Sequence, residues 1–206
     1  MGEILTKCCD KETFNVKIPK DSSADRKSEE VRTTGEISKR QSLISLNDFV
    51  KRDVLGEGGY GKVFLVEKKD NKNLYALKKV KKKLFQNTLR LKDAINEKNI
   101  MVQSSHPFIV KLFFTFQDDK NLYYCMEYVQ GGVLFTYIKE QGYLSENVTK
   151  FYIAQVILAL KYLHEECGII YRDLKPENLL MDNHGYIKLS DFGLSTSRLR
   201  SGRRDK

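Results

Sequence analysis

One stretch, IYRDLKPENLLMDNHGYIKLSDFG at residues 170–193, constrains this chain more than any other part of the sequence. It brings Asp173, Asn178 and Asp191 close together along the chain, with Lys175 among them. These residue types suit phosphoryl transfer, in which a carboxylate orients the attacking hydroxyl and a cation steadies the moving phosphoryl group. An asparagine and an aspartate also supply oxygen ligands of the kind that magnesium prefers. The stretch therefore predicts a phosphoryl-transfer site.

A simpler interpretation has to be weighed against this one. The same residues also fit a charged turn, a β-hairpin with strands at 179–181 and 186–189, and a second loop. A lone Asp-Phe-Gly triplet would carry little weight. The pattern Y-R-D-x-K-x-x-N, followed after a dozen residues by D-F-G, is very unlikely to arise by chance. We therefore favour the catalytic interpretation.

A glycine-rich turn lies upstream. The sequence FVKRDVLGEGGYGKVFLVEKK predicts two strands joined by a turn that carries Gly56, Gly58 and Gly61. Glycines adopt positive φ and let backbone amides approach a phosphate closely. Dinucleotide-binding folds use the same glycine spacing, but there the turn opens a helix, whereas the strand-like KVFLVE follows here. The alternative is a glycine hairpin that binds no ligand.

The rest of the pattern predicts further strands and then helices. NLYALKKVK reads as a third strand, and LFFTF and NLYYCMEYV read as two more. Apolar residues at close to helical spacing predict a helix over approximately Thr88–Gln103. A Gly-Gly pair at 131–132 then marks the crossing into a helical part. There, Ser145 is a suitable N-cap for a long helix over residues 146–165 that is apolar on most sides.

From about residue 49 to residue 198 the chain resembles the AGC group of eukaryotic serine/threonine protein kinases, in particular the cyclic-nucleotide-dependent and ribosomal-S6-type kinases. The phrases HPFIVKLFFTFQDDKNLYYCMEYVQGG and IIYRDLKPENLLMDNHGYIKLSDFG carry this likeness. The resemblance implies an α+β, bilobal fold with a complete β-rich small lobe and only the first part of the helical large lobe. It divides the chain into a tail at 1–47, a small lobe with hinge at 48–130, and a partial large lobe at 131–206 that ends in the activation segment.

The resemblance implies catalytic roles for single residues. Asp173 is the catalytic base, and Lys175 steadies the γ-phosphate of ATP. Lys78, in the third strand, pairs with the α- and β-phosphates and with Glu97 of the helix. The chain then stops soon after Asp191, without the A-P-E motif and the remaining helices of the large lobe. We therefore expect a fragment, a short isoform or a chain that works with another one, with an exposed apolar face and weak activity.

Nucleotide and metal ligands are implied in the same way. Asn178 and Asp191 bind Mg²⁺. The residues that contact ATP are expected in the glycine-rich turn, on the apolar walls around the adenine and in the hinge: Gly56, Gly58, Gly61, Val63, Ala76, Lys78, Met126, Glu127, Val129 and Leu180. An apolar stack resembling the regulatory spine of kinases comprises Met101, Leu112, Tyr171 and Phe192, for which ordinary core packing is the alternative.

The implied function is a serine/threonine protein kinase that transfers the γ-phosphate of ATP to Ser and Thr hydroxyls of proteins. Val133 departs from the pattern, because the AGC group commonly has there a glutamate that contacts the ribose and a substrate arginine. Glu177 remains available for such an arginine, so a preference for basic sites is weakened but retained. The alternatives are a catalytically weak nucleotide-binding regulatory fragment and a membrane-tethered adaptor.

The first residues carry a separate signal. Residues 1–47 have few large apolar side chains and many charges, which predicts a disordered tail. Its start, MGEILT, fits the N-myristoylation pattern with Gly2 as acceptor, and Cys8 and Cys9 offer sites for a second acyl chain. Two chains bind a membrane surface stably, whereas one binds it only marginally. Glu3 is unfavourable next to the acceptor, and an ordinary frayed terminus is the alternative.

Composition bounds the compartment and the partners. The four cysteines have no zinc spacing, which indicates a reducing intracellular compartment, and no apolar run is long enough to span a membrane. We therefore expect a cytoplasmic protein, with membrane association if the tail is acylated. The net charge of +9 comes largely from basic runs at 78–83 and 198–206. Since no aromatic residues interleave with basic ones along a stripe, we expect no nucleic-acid partner.

Overall fold

The computed structural model of the chain describes residues 16–17, 44–58, 61–85 and 88–197. Gly2, Cys8 and Cys9 lie outside these ranges, and so does most of the tail that the sequence predicts to be disordered. Among the described residues, every helix is too short or too polar to cross a membrane.

One antiparallel sheet forms the small lobe, with strand order β1-β5-β6-β4-β3-β2. The five strands after β1 agree with those predicted from the apolar runs and turns of the sequence. The glycine-rich turn connects β2 and β3, as predicted for the FVKRDVLGEGGYGKVFLVEKK stretch. The strands are Val16–Lys17 (β1), Phe49–Gly58 (β2), Gly61–Lys68 (β3), Leu74–Lys81 (β4), Leu112–Gln117 (β5) and Asn121–Glu127 (β6).

One two-residue strand, Val16–Lys17, lies within the stretch over which the sequence predicts a disordered tail, residues 1–47. These two residues pair antiparallel with β5, Val16 opposite Thr115 and Lys17 opposite Phe114. Local composition did not reveal this strand, because a short segment gains its hydrogen bonds from a sheet edge supplied by residues a hundred positions away. Strand pairing of this kind is a tertiary effect that single-segment hydrophobicity does not register.

Apolar side chains pack on both faces of the sheet. One face forms an aromatic cluster in which Phe116 stacks on Tyr123 with ring centroids 4.8 Å apart. Cys125 is fully buried in the same cluster, and this burial raises the pKa of its thiol. The other face packs Val80 and Leu122 into the main core of the molecule. Because side chains pack on both sides of the central strand β6, its first five residues are all buried.

Within the described ranges, three helices accompany the sheet: Thr88–Gln103 (α1), Leu134–Gln141 (α2) and Glu146–Lys161 (α3). The sequence predicted the bounds of α1, and it predicted Ser145 as the N-cap of α3, whose hydroxyl accepts from the Val148 amide at 3.4 Å. The predicted end of α3 at residue 165 needs a correction. From residue 162 the helix widens into a π turn, Tyr162–Glu166, where the Tyr162 hydroxyl accepts from the Ser105 amide at 2.9 Å.

Helix α3 is buried on one side only. Gln155, Val156 and Ala159 face the core, and the Gln155 amide oxygen accepts from the Ile187 amide at 2.8 Å. The opposite side is apolar but about half exposed, at Phe151, Ile153, Ile157 and Leu158. The expected exposed apolar face is therefore present.

The end of the described chain is a compact set of short elements. Strand β7 (Ile169–Ile170) pairs with β10 (Thr196–Ser197), and β8 (Leu179–Met181) pairs with β9 (Ile187–Leu189). Because Ile109 bridges Leu189 and the Val110 amide donates to the Leu189 carbonyl at 3.0 Å, the β8–β9 hairpin lies directly under the small lobe. The predicted phosphoryl-transfer stretch is thus held between the two lobes.

Candidate active site

Lys78 stands at the centre of the site. Its ammonium lies 2.6 Å from Glu97 Oε1 and 3.4 Å from Asp191 Oδ1. Burial by itself lowers the pKa of Lys78, but the carboxylates of Glu97 and Asp191 outweigh it and hold the pKa above its usual value. Lys78 is therefore a fixed positive charge, and it links strand β4 of the small lobe to the Asp-Phe-Gly motif.

Helix α1 supplies Glu97 from its inner face. Ala94, Glu97 and Met101 recur at helical spacing and are all buried. The Tyr124 hydroxyl of β6 donates to the Ala94 carbonyl at 3.0 Å, which fixes the helix one turn before the glutamate. Most helix glutamates are solvated, so the periodicity of α1 could not single out Glu97. The family resemblance did, and the ion pair with Lys78 is present.

The loop after β7 places two polar side chains against Asp173. The Lys175 ammonium donates to Asp173 Oδ2 at 2.8 Å, and the Asn178 amide donates to the same oxygen at 2.9 Å. A short 3₁₀ turn, Pro176–Asn178, returns Asn178 to the aspartate, whose backbone carbonyl also accepts from the Asn178 amide at 2.9 Å. The hydrogen bond from Lys175 is the main cause that lowers the pKa of Asp173, so this carboxylate stays ionised at neutral pH.

Two residues in the predicted motifs have left-handed backbone. Arg172 has φ 67° and Asp191 has φ 53°, and neither is glycine. The Asp191 carboxylate accepts from the Gly193 amide at 3.3 Å, a local hydrogen bond of the kind that lets aspartate tolerate this region. Non-glycine residues in this conformation cost free energy and cluster at functional sites. Arg172 directly precedes Asp173 in one motif and Asp191 belongs to the other, so both motifs have this feature of functional sites.

The two motifs converge. The pKa of Lys175 is raised, first by its hydrogen bond to Asp173 and in smaller part by the charges of Glu177 and Asp191. The Ser190 amide, next to Asp191 in the sequence, donates to the Asn178 carbonyl at 2.9 Å, so the two motifs lie side by side. Behind them the predicted apolar stack is buried in one cluster, and its Tyr171 and Phe192 rings meet edge to face at 5.5 Å; its members are Met101, Leu112, Tyr171 and Phe192.

The remaining predicted ligands line the sheet and the hinge. Val63 of β3 lies opposite Lys78 in the register, and Ala76 of β4 lies opposite Met126 of β6. Val129 is buried, and Leu180 of β8 is partly buried. The three glycines differ: a Cβ at Gly61 would collide with the Lys79 carbonyl, whereas a Cβ at Gly56 or Gly58 would meet nothing within 4 Å.

Sequence reasoning missed two residues. Tyr124 anchors α1, as described above. Lys188 of β9 lies 3.0 Å from Glu127 Oε1 and donates to the Pro107 carbonyl at 2.9 Å, so the Glu127 side chain is held in an ion pair behind the hinge. Only the backbone of Glu127 then remains for a nucleotide. The sequence does contain one signal of this ion pair, a lysine inside an otherwise apolar strand, because a lysine in that position needs an acidic partner.

Comparison with known proteins identifies the family. The model of the protein kinase domain matches residues 49–204. The chain belongs to the protein kinase domain family. This kinase domain is 45% identical over 164 residues to Protein kinase 3 of Dictyostelium discoideum, a match that covers 79% of the chain and 18% of that protein. It is 44% identical over 172 residues to human Ribosomal protein S6 kinase alpha-3, covering 81% of the chain and 23% of the relative.

A third relative of the kinase domain is Serine/threonine-protein kinase sck2 of Schizosaccharomyces pombe, 45% identical over 159 residues, which covers 76% of the chain and 24% of that protein. These names agree with the AGC-group resemblance of the sequence. The chain spans about a fifth to a quarter of the lengths of these three relatives. The α+β small lobe with its antiparallel sheet agrees with the fold that the resemblance implied.

Proposed function

We propose that this kinase domain binds ATP with Mg²⁺ and transfers the γ-phosphoryl group to serine and threonine hydroxyls of proteins. The observation that carries the proposal is the chain of contacts from Glu97 through Lys78 to Asp191. We assign residues 48–130 to the small lobe with its hinge and residues 131–206 to the large lobe, so that the site lies between them.

Each polar residue has a distinct task in this proposal. Lys78, held by Glu97, presents a fixed positive charge to the α- and β-phosphates. The ionised Asp173 accepts a hydrogen bond from the substrate hydroxyl, orients it and takes its proton as the bond to phosphorus forms. Lys175, beside Asp173, stabilises the negative charge on the transferring group. These tasks depend on preorganised charges, which act more strongly between two lobes than in open water.

The donor set fits a magnesium ion held together with a nucleotide. Among the described residues, no group of three or more His, Cys, Asp and Glu side chains could hold a metal alone. Magnesium in phosphoryl-transfer sites usually takes one or two carboxylates and completes its shell with phosphate oxygens and water. Asp191 and Asn178 supply such a partial set, and the bound ion would neutralise charge on the phosphates.

The glycine-rich turn fits a phosphate ligand. Packing within the protein does not require glycine at Gly56 or Gly58, since a Cβ there would meet open space. A ligand that approaches the backbone closely would require it. We propose that the nucleotide phosphates occupy this space, with Val63, Ala76 and Leu180 around the adenine and the backbone of Met126, Glu127 and Val129 bonding its edge.

We expect ATP to raise the melting temperature of the chain in the presence of Mg²⁺ and to do so much less in EDTA. At a concentration of 100 Kd, a ligand that binds only the folded state stabilises it by about 2.7 kcal/mol, which is a shift of several degrees. Differential scanning fluorimetry with ATP, and with GTP as the control nucleotide, measures this. A melting temperature that does not respond to ATP at any Mg²⁺ concentration would contradict the assignment of the site.

Substrate preference is a finer proposal. Glu177 is exposed beside Asp173 and Lys175, so we propose that it receives a basic residue of the substrate. Val133 is partly buried and bridges Leu180, so the apolar residue at this position contributes no charge to substrate binding. Basic peptides are therefore preferred, but by a smaller margin than two carboxylates would give.

We further propose that the protein is cytoplasmic and reaches membrane surfaces through an acylated tail, with Gly2 myristoylated and Cys8 or Cys9 carrying a second chain. Intact-mass analysis of protein from a eukaryotic host is expected to show both additions. Gly2→Ala should remove the first of them and release the protein from membrane fractions. An unmodified or merely acetylated N-terminus would contradict this proposal.

A further inference from the structure

Asn96 lies in the middle of α1, directly before Glu97. Asparagine is disfavoured inside a helix relative to alanine, because its side chain competes for backbone hydrogen bonds. Here the side chain reaches a distant part of the chain: its amide donates to the carbonyl of Ser195 at 2.8 Å. A residue that is unfavourable for the helix is therefore matched by a contact that alanine could not make.

Ser195 is a fixed anchor for this contact. The residue is only 3% exposed, its hydroxyl donates to the Tyr171 carbonyl at 3.1 Å, and its amide donates to the Phe192 carbonyl at 3.0 Å. The second of these bonds closes a turn that starts inside the Asp-Phe-Gly motif. Strand β10, which pairs with β7, begins at the next residue. Asn96 therefore contacts a well-held carbonyl at the end of the turn that follows Asp191.

Helix α1 thus has two connections to the Asp-Phe-Gly segment. The first runs through Lys78, whose ammonium contacts both Glu97 and Asp191. The second is the bond from Asn96 to Ser195, and it starts from the neighbouring residue of the same helix. Successive helix residues project about 100° apart, so the two connections leave α1 in different directions. Together they oppose rotation of the helix about its axis, which a single connection would permit.

The two connections respond differently to a ligand. A phosphate that binds Lys78 competes with Asp191 for the ammonium, so the first connection weakens as the nucleotide enters. The bond of Asn96 joins an amide and a carbonyl that have no assigned contact with nucleotide or metal. It therefore persists while Lys78 turns to the phosphate, and it keeps α1 in place at the moment when the first connection is shared.

We propose that Asn96 is a positioning residue of the active site, which holds Ser195 and thereby keeps Glu97 against Lys78 and α1 at a fixed distance from Asp191. This inference rests on the proposed function, because its consequence is faster phosphoryl transfer. If the bond served only to satisfy a buried carbonyl, its loss would lower the free energy of unfolding and leave the kinetic constants of the folded enzyme unchanged.

Asn96→Ala removes the bond, and Asn99→Ala is the matched control. Asn99 lies three residues further along α1 with an exposed side chain, so both variants gain the same helix propensity. We expect Asn96→Ala to lower kcat toward a basic serine peptide by about three- to tenfold, the scale of one neutral hydrogen bond, and to raise the KM for ATP. Asn99→Ala should stay within about twofold of the wild type in both constants.

A double-mutant cycle with Glu97→Gln separates positioning from stability. If Asn96 acts through Glu97, Asn96→Ala should change kcat by less than about twofold once the charge of Glu97 is gone, because residues that act on one contact are not additive. Equal factors in the two backgrounds would overturn the positioning role. A lower melting temperature with unchanged kcat and KM would overturn it as well.

Hydrogen exchange without nucleotide tests the connection itself and requires no activity. Asn96→Ala should speed exchange at least about threefold in peptides that cover residues 94–101 and 192–197, because each side loses a contact. Asn99→Ala should leave the second peptide unchanged. Unaltered exchange of residues 192–197 in Asn96→Ala would overturn the proposal. A wild type that neither binds ATP nor phosphorylates the peptide would contradict the proposed function, and the exchange data would still decide whether Asn96 holds the segment.

Discussion

Lys78→Met is expected to lower the rate of phosphoryl transfer to a basic serine peptide by about 10²–10³-fold, as removal of one preorganised electrostatic donor does. The ammonium of Lys78 is held between Glu97 and Asp191, and methionine keeps much of its length without its charge. The affinity for Mg²⁺–ATP should fall about tenfold or more, because charge-assisted hydrogen bonds contribute about 1.5–3 kcal/mol each. Isothermal calorimetry and a radiometric peptide assay on the same sample measure the two effects.

Lys79→Met is the matched control for this experiment. Lys79 follows directly on β4, and its side chain leaves the sheet on the opposite face because successive residues of a strand alternate. This variant should retain affinity and rate within about twofold. If both methionine variants behaved alike, the special position of Lys78 would be refuted.

Asp173→Asn is expected to reduce the turnover number by about 10²–10⁴-fold, the range that a general base contributes. The substitution keeps the size of the side chain and can keep contact with Asn178, but it removes the charge that accepts the substrate proton. ATP affinity should change little, because Asp173 acts on the hydroxyl. Asp182→Asn, in the turn between β8 and β9, is the control: Asp182 accepts from the backbone amides of His184 and Tyr186 and has only a structural task.

The pH profile gives an independent readout of the base. A base must be ionised, and the pKa of Asp173 is held low chiefly by the hydrogen bond from Lys175, so the wild-type rate should persist into acid. Removing that bond with Lys175→Met lets the pKa of Asp173 rise. The acid limb of the normalised profile should then move to higher pH. A limb that stays in place, or moves to lower pH, would argue against Asp173 as the titrating group.

How far the sequence predicted the site depends on the range of the interaction. The loop with Asp173, Lys175 and Asn178 was predictable, because these residues are neighbours in sequence and a single 3₁₀ turn brings them together. The existence of the strands and of α1 was predictable too, since apolar periodicity and turn residues are local signals. The pairing of Lys78 with Glu97 was not predictable from periodicity, because a solvated glutamate on a helix gives the same sequence pattern. Only the family resemblance identified this pair.

Other features lay beyond the sequence for physical reasons. The two-residue strand β1 depends on an edge formed by β5, and no local composition records such a partner. In the π turn after α3, the Tyr162 hydroxyl accepts from the Ser105 amide, a contact between residues far apart in the sequence. The ion pair of Lys188 with Glu127 joins residues on different elements, so it could only be seen once the β8–β9 hairpin was placed beneath the hinge.

The fully buried Cys125 has a practical consequence. A thiol reagent must reach the sulfur and find it ionised, and the raised pKa and complete burial of Cys125 oppose both steps in the closed small lobe. Cys167 is partly exposed and can react without such an opening. The rate at which the peptide containing Cys125 gains a label, relative to the peptide containing Cys167, therefore reports the rate at which the small lobe opens. The measurement requires no engineered probe.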